Sequence, residues 1–409
     1  MNQNNFPSLE KIDRGALSAL REQFDKVDAV SATVTKRVLD AFREERVSES
    51  MFAITSGYGY DDRGRDALER VWAHVFGAEA ALVRHTIVSG THAIAIGLYG
   101  LLRPGDVLLS LTGKPYDTLD EVIGMSGEPG NGSLRDFGIE YREVELGEDF
   151  AEALSDPHVK VAFFQRSKGY SSRRTLSAAE LTALTRRVKE LRPDVFTVID
   201  NCYGEFVCET EPEADLVIGS LIKNPGGGVA ETGGYLAGTR RAVELAGYRL
   251  TSPGIGAEVG PGLVHTKSLF RGLFFAPHTV AQAVKTAIYA AYVFEALGFE
   301  VEPHYSEPRY DIIQTVRLGS PDALCAFCRG IQAGSPIDAF VTPEPWDMPG
   351  YSDQVIMAAG TFVQGGSLEL SADGPLRPPY TAFLQGGLTF ESGRIGVLSA
   401  ARAVIESMK

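Results

Sequence analysis

Short apolar runs that alternate with helical segments constrain this chain more than any other feature. "AALVR" (80–84) is followed by "SGTHAIAIGLYGLL" (89–102), a turn and then helical spacing. "PGDVLLSL" is a turn and a strand, and "IEYREVEL" alternates as a strand does. "KVAFFQR" (160–166), "VFTVID" (195–200) and "ADLVIGS" (214–220) are apolar, rich in β-branched or aromatic residues, and too short for helices. Between the first two of these, "LSAAELTALTRRVKEL" reads as a helix opened by a capping box, Ser177 with Glu180. Strands that alternate with helices call for βαβ units. Strands apolar along their whole length call for a mainly parallel sheet covered on both faces. The expected fold class is α/β.

The flanks read differently. Leu17, Leu20 and Phe24, then Val34, Val38, Leu39 and Phe42, carry helical spacing, and "ITSGYGYDDRGRD" (54–66) is a loop. Residues 1–60 are therefore expected to form an N-terminal arm and 61–275 a large α/β domain. After Tyr248, "TSPGIGAEVGPG" is a glycine-proline loop, and His265, Lys267 and Arg271 are expected in a loop as well. "APHTVAQAVKTAIYAAYVFEALG" reads as a long helix ending at Gly298. Strands are expected at 312–316, 354–359, 367–370 and 384–388. "SPDALCAFCRG" reads as a helix with Ser320 as N-cap, Pro321 in its first turn and Gly330 past its end. Residues 276–409 are expected to form a smaller α+β domain.

Composition removes several classes of function. The 409 residues carry 39 basic and 53 acidic side chains, a net charge of −14. A nucleic-acid partner calls for a basic stripe instead. No apolar stretch reaches the roughly 18 residues that a membrane helix needs. The polar start "MNQNNFPSLEKIDRG" has no signal-like core, which points to the cytoplasm. Four cysteines are too few for a disulfide framework. Cys325 and Cys328 form a C-x-x-C inside a helix, and Cys202 and Cys208 lack the spacing of a second ligand pair, so all four read as structural and no metal site is expected.

In an open parallel sheet, ligands bind beyond the carboxyl ends of the strands. "VFTVID" ends on Asp200. "ADLVIGS" ends on Ser220, and Lys223 follows in "SLIKNPGGG". "SGT" opens a helix with Gly90 and Thr91. Each alone has a plain reading: a solvated lysine, an aspartate capping a turn with Asn201, a helix-capping threonine. Together, on successive strand ends, they suit pyridoxal phosphate. Backbone N–H groups at Gly90 and Thr91 would meet the phosphate, with hydroxyls from Thr91 and Ser220. Asp200 would keep the pyridine nitrogen protonated, and Lys223 would be the covalent anchor and later move protons. Desolvation and neighbouring cations are expected to lower the Lys223 pKa. The glycines after it are expected to leave room for the cofactor.

"VIDNCYGEF", "SLIKNPGGG", "SGTHA" and "LLRPGDVLLS" resemble the motifs of the Cys/Met-metabolism pyridoxal-phosphate enzymes, the family of methionine γ-lyase and the cystathionine lyases. Order and approximate spacing hold from Tyr58 to Gly228. "RPPYTAFLQGGLTFE" and "GLFFAPHTVAQAVK" are similar to the methionine γ-lyase-like, aluminium-resistance branch. The resemblance implies a fold-type-I α/β enzyme with a mostly parallel large sheet and a small C-terminal domain. It implies Lys223 as Schiff-base lysine, Asp200 on the pyridine nitrogen, Gly90, Thr91 and Ser220 at the phosphate, and Tyr116 stacked on the ring and assisting proton transfer. Tyr58 and Tyr60 lie where relatives have a Tyr-x-Arg that reaches a neighbouring subunit's phosphate, which implies a homodimer or homotetramer with shared active sites. Tyr60 replaces that arginine, so Arg63 or Arg65 is the alternative source of charge. Ile222 replaces a threonine. Arg377 is the candidate for the substrate carboxylate, because a guanidinium fork binds it bidentately. Arg394 is expected to face solvent, His92 to pack or cap, and Arg166, Ser167 and Lys168 to reach toward the ring oxygen.

The implied activity is elimination of a thiol from a sulfur amino acid, giving a 2-oxo acid and ammonia. The alternatives are another fold-type-I reaction (γ-substitution, transamination or decarboxylation) or a non-catalytic protein that keeps the fold.

Overall fold

The computed structural model describes residues 7–171, 173–348, 351 and 353–409. The chain divides into two compact units, Val34–Phe274 and Met1–Thr33 with Phe275–Lys409. The N-terminal periodicity becomes α1 (Leu9–Ala19) and α2 (Arg21–Glu44).

The 34–274 unit continues with α3 (Arg63–Phe76), β1 (Ala80–Arg84), α4 (Gly90–Leu101), β2 (Val107–Ser110), α5 (Asp120–Ile123), β3 (Glu140–Glu143), α6 (Ala151–Leu154) and β4 (Val159–Gln165). Then come α7 (Ala178–Leu191), β5 (Phe196–Asp200), β6 (Leu216–Ser220), β7 (Gly234–Gly238), α8 (Arg240–Leu250) and the first turns of α9 (His265–Ala296). The seven strands form one sheet in the order β1-β7-β6-β5-β4-β2-β3. All neighbours are parallel except β7, which runs antiparallel to both β1 and β6. The Ser177–Glu180 capping box opens α7 as expected.

Alternate residues of one strand serve opposite faces of the sheet. Val161 and Phe163 of β4 pack with Leu108, Val198, Leu216 and Ile218 under α4 and α8. Ala162 and Phe164 pack with Leu109, Ile199, Leu181 and Val188 under α7. Both faces are thus covered, which is why β4 to β6 read as continuous apolar runs.

"GYLAG", which becomes β7, has too few large side chains to declare itself a strand. Its smallness has a physical reason. A Cβ on Gly238 would lie 1.9 Å from the Asp215 carbonyl oxygen, so the close pairing with β6 admits only glycine.

The second unit holds a five-stranded antiparallel sheet, β10-β11-β12-β9-β8. Its strands are β8 (Glu300–Glu302), β9 (Gln314–Arg317), β10 (Val355–Ala358), β11 (Ser371–Pro375) and β12 (Thr381–Gln385). The strand expected at 367–370 begins at Ser371 instead. Helices α10 (Pro321–Ala333) and α11 (Phe390–Ser407) belong to the same unit. Ser320 caps α10 as expected, but Gly330 lies inside the helix. A Cβ there would sit 2.5 Å from Ala400 Cα, so Gly330 is a helix-crossing point and not a stop signal. Cys325 and Cys328 are buried, unpaired thiols on the same helix. Arg394, expected in solvent, grips the Asp13 carboxylate with two hydrogen bonds of 2.6 and 2.8 Å.

The long helix α9 starts eleven residues before its expected onset at 276, so His265, Lys267 and Arg271 are helical and not in a loop. Pro277 lies inside it. A proline read from sequence marks a helix start, and here that signal misplaced the boundary.

The β6–β7 pairing yields a test. Gly238→Ala should lower the unfolding free energy of the full chain by about 1–3 kcal/mol in urea titrations, because the added methyl has nowhere to go. An unchanged midpoint would contradict this register.

Candidate active site

Strand polarity collects the chemistry on one edge. The strands β4, β5 and β6 are parallel and end together at Gln165, Asp200 and Ser220. Arg84 at the end of β1 and Ser220 at the end of β6 both pair with Gly234 of β7, so β1 finishes on that edge too. The chain then turns through residues 85–89 and starts α4 there. Ser89 caps that helix, its hydroxyl accepting the His92 N–H at 3.0 Å. The first turn of a helix leaves its N–H groups without intrahelical partners, and α4 opens with Gly90 and Thr91 beside this edge. A Cβ on Gly90 would lie 3.4 Å from Ser220 Cβ and 3.3 Å from Cys202 Sγ, so helix start, strand end and the turn after β5 meet at van der Waals distance. The Ser220 hydroxyl is buried and makes no hydrogen bond within the protein.

Asp200 is buried. Burial pushes its carboxyl above the ordinary range, against the pull of Lys223 and the Cys202 N–H, which donates to Oδ1 at 3.1 Å. Burial works on Lys223 in the opposite sense, pulling the ammonium down. Cys202, Tyr203 and Asp200 outweigh it and hold the pKa above the ordinary lysine value. The sequence expectation of a lowered pKa is therefore corrected: the neighbours are acidic and aromatic, not cationic. The Lys223 ammonium lies 3.9 Å from the centroid of the Tyr203 ring, a cation–π contact. Burial, then Asp200, pushes the Cys202 thiol well up.

Behind these residues runs a buried polar network. Asn201 accepts from the Arg166 guanidinium at 2.8 Å and donates to Glu211 at 3.0 Å. Glu211 also accepts the Phe206 N–H at 2.8 Å. The Tyr235 hydroxyl donates to Glu205 Oε1 at 2.9 Å. The Asn224 amide donates to the carbonyls of Tyr203 and Glu205 at 2.9 and 3.0 Å, tying the segment after β6 to the turn after β5. Burial pushes Glu205 up to about 8.

The sequence profile of the methionine gamma-lyase family matches residues 9–405. The chain belongs to the methionine gamma-lyase family. It is 50% identical over 390 residues to the protein YnbB of Bacillus subtilis (strain 168), covering 93% of each chain. Among solved structures it is similar to a carbon-sulfur lyase involved in aluminum resistance from Clostridium novyi NT, with a TM-score of 0.92, 48% identity and coverage of 96% and 95%. A pyridoxal-5'-phosphate dependent protein, YhfS from Escherichia coli, shares the fold alone, at a TM-score of 0.60 and 17% identity over 92% and 97% of the two chains. The fold is thus the α/β fold of type-I pyridoxal-phosphate enzymes, and the aluminium-resistance branch of the methionine gamma-lyase family is the right neighbourhood.

Within that family fold, the residues expected from sequence fall into three groups. Lys223, Asp200, Ser220, Gly90 and Thr91 share the sheet edge. Thr91 Oγ1 shares a 2.9 Å hydrogen bond with Thr118 Oγ1, which ties α4 to the loop carrying Tyr116. Tyr116 is half-buried there; its N–H donates to the side chain of Gln165, the strand-end partner of Asp200. Its ring lies 6.0 Å from that of Tyr170. Tyr58 and Tyr60 form the second group, 82% and 69% exposed on a loop at the unit's surface. Arg377 forms the third: it lies in the other unit and pairs with Asp353 at 2.8 Å.

Lesser expectations are reassigned. Arg65 is buried and committed to Asp66 and the Gly57 carbonyl. Arg166 is a structural brace. His92 accepts the Val88 N–H, so it caps the turn before its helix. Gly226 does not make room for a ligand. A Cβ there would strike the Leu221 carbonyl oxygen, and its own carbonyl abuts Gly272 of α9. Sequence reasoning passed over Tyr203, Glu205 and Asn224. All three stand inside the two quoted motifs, within five residues of Asp200 or one of Lys223.

Glu205 gives a pH test. Its folded pKa near 8 exceeds the ordinary 4.5, so the folded state keeps a proton that the unfolded chain releases between those values. Stability from this group is therefore full below about pH 4.5 and lost as pH rises toward 8, by roughly 1.4 kcal/mol per unit crossed. Glu205→Gln should gain stability over the natural chain in denaturant titrations at pH 8.5 and gain none at pH 4. An equal difference at both values would contradict a buried neutral carboxyl.

Proposed function

We propose that this chain is a pyridoxal-phosphate-dependent carbon–sulfur lyase that releases a thiol, a 2-oxo acid and ammonia from a sulfur amino acid. One observation carries the reading: a buried aspartate and a half-buried lysine at neighbouring strand ends, beside a helix start that meets the buried, unpartnered hydroxyl of Ser220. The residues present fit the cofactor. A phosphate gives the Ser220 hydroxyl an acceptor and suits the N–H groups of Gly90 and Thr91. Asp200, buried and with its charge stabilised by Lys223, Cys202 and Arg173, suits a protonated ring nitrogen. Tyr116 supplies an aromatic face on the loop tied to Gln165. Bound there, pyridoxal phosphate supplies an electron sink for the carbanion formed at the substrate's α carbon.

The protein's own part is positioning and proton transfer. Lys223 anchors the cofactor and, once its amine is free, Nζ takes the α-proton and holds it for return to the leaving group or the product carbon. Water completes the balance: amino acid and water give thiol, 2-oxo acid and ammonia. Arg377 is the candidate for the substrate carboxylate and would exchange Asp353 for it. Exposed Tyr58 and Tyr60 suit a phosphate held by a second copy of the chain, so a homodimer or homotetramer with shared sites is part of the proposal. No helix among the described residues is long and apolar enough to cross a membrane, consistent with the cytoplasmic location we propose.

The purified protein should turn yellow with pyridoxal phosphate and release thiol and 2-oxo acid in equal amounts from at least one sulfur amino acid. Lys223→Ala should lower that turnover by at least about 10²–10⁴-fold. Transfer of the amino group to a second 2-oxo acid, with no thiol released, would overturn the lyase reading in favour of another reaction on the same cofactor.

A further inference from the structure

Tyr203 has a φ of 73°, a left-handed backbone that residues with a Cβ seldom adopt, and Phe206 has a φ of 63°. Such conformations persist only where the surroundings over-determine them, and they gather at functional sites. Here the surroundings are specific. The Gly204 N–H closes on the Asn201 carbonyl at 3.0 Å, and Glu211 fixes the Phe206 N–H. Asn224 holds the carbonyls of Tyr203 and Glu205 together. Asn224 is the residue after Lys223, so the segment that carries the amine also fixes the turn that carries the ring. The outcome is the 3.9 Å approach of Lys223 Nζ to the Tyr203 ring, and the phenol helps to keep the same amine protonated.

A lysine side chain has four rotatable carbons, and an amine released beside a substrate must be kept from swinging away. From this geometry we infer that Tyr203 is a positioning residue for Lys223: its ring and hydroxyl hold Nζ at the sheet edge once the released amine has taken up a proton, and Asn224 sets the ring in place. The inference rests on the reading of Lys223 as the reacting amine. It adds that the proton taken up by Nζ is retained against the Tyr203 ring until it is delivered. The other groups facing Lys223 are Asp200 at the end of β5, and Cys202 and Glu205 on the same turn as Tyr203. Substitutions at Tyr203 leave these three in place.

The test uses the full chain and two variants. Tyr203→Phe keeps the ring and removes the hydroxyl; Tyr203→Leu removes both. Competitive labelling of amines with acetic anhydride across pH, before pyridoxal phosphate is added, reads the protonation of Lys223 by mass spectrometry. The Lys223 profile should move to lower pH by roughly half a unit in Tyr203→Phe and about one unit or more in Tyr203→Leu, a three- to tenfold larger reactive fraction at a fixed pH. With pyridoxal phosphate bound, kcat should fall about tenfold in Tyr203→Leu with KM within twofold, and Tyr203→Phe should lie between. Coincident labelling profiles in all three proteins would overturn the inference. Should Tyr203→Leu fail to fold, Tyr203→Phe alone decides it. If the natural chain stays colourless with pyridoxal phosphate, the proposed function falls, while the labelling profiles still decide whether Tyr203 holds Lys223.

Discussion

The parallel pairing of β5 with β6 is the constraint on which the site depends. It places Asp200 opposite Ile218, two residues before Ser220, and so brings a buried carboxylate and the Lys223 amine into one electrostatic unit. Each charge is costly to bury alone. Paired, each lowers the cost of the other, though burial still pushes the Asp200 carboxyl up, and Lys223 is held up by Cys202 and Tyr203 as well as by Asp200. Break the register by one residue and the aspartate would turn to the other face of the sheet.

The polar network behind the pair answers a second requirement. A turn with two left-handed non-glycine residues is costly and persists where its surroundings over-determine it. Arg166, Asn201, Glu211 and Asn224 supply the hydrogen bonds that fix it, all from buried side chains. Such a network is worth its burial only when satisfied throughout. Its unsatisfied atoms are Glu205 Oε2 and Asn224 Oδ1, and burial keeps the Glu205 carboxyl protonated to about pH 8.

Much of this was legible in the sequence because the informative residues sit at strand ends. β4, β5 and β6 announce themselves by apolar runs, and the last residue of each then points to a ligand edge. β7 was illegible because close packing leaves it only two large side chains, Tyr235 and Leu236, and puts glycine at both ends, Gly238 lying against the Asp215 carbonyl. Pro277 hid the true start of α9. The lysine pKa was misjudged because sequence order says which residues are present but not which face Nζ. Tyr203 and Asn224 were overlooked for the same reason: their roles lie in a left-handed turn and a cross-segment amide, neither of which has a residue-type signature.

The most direct test of the central claim is borohydride reduction of the protein loaded with pyridoxal phosphate, followed by peptide mapping. The account predicts a single stable cofactor adduct on the peptide that contains Lys223. An adduct on a different lysine, or none at all from a protein that has bound the cofactor, would contradict it.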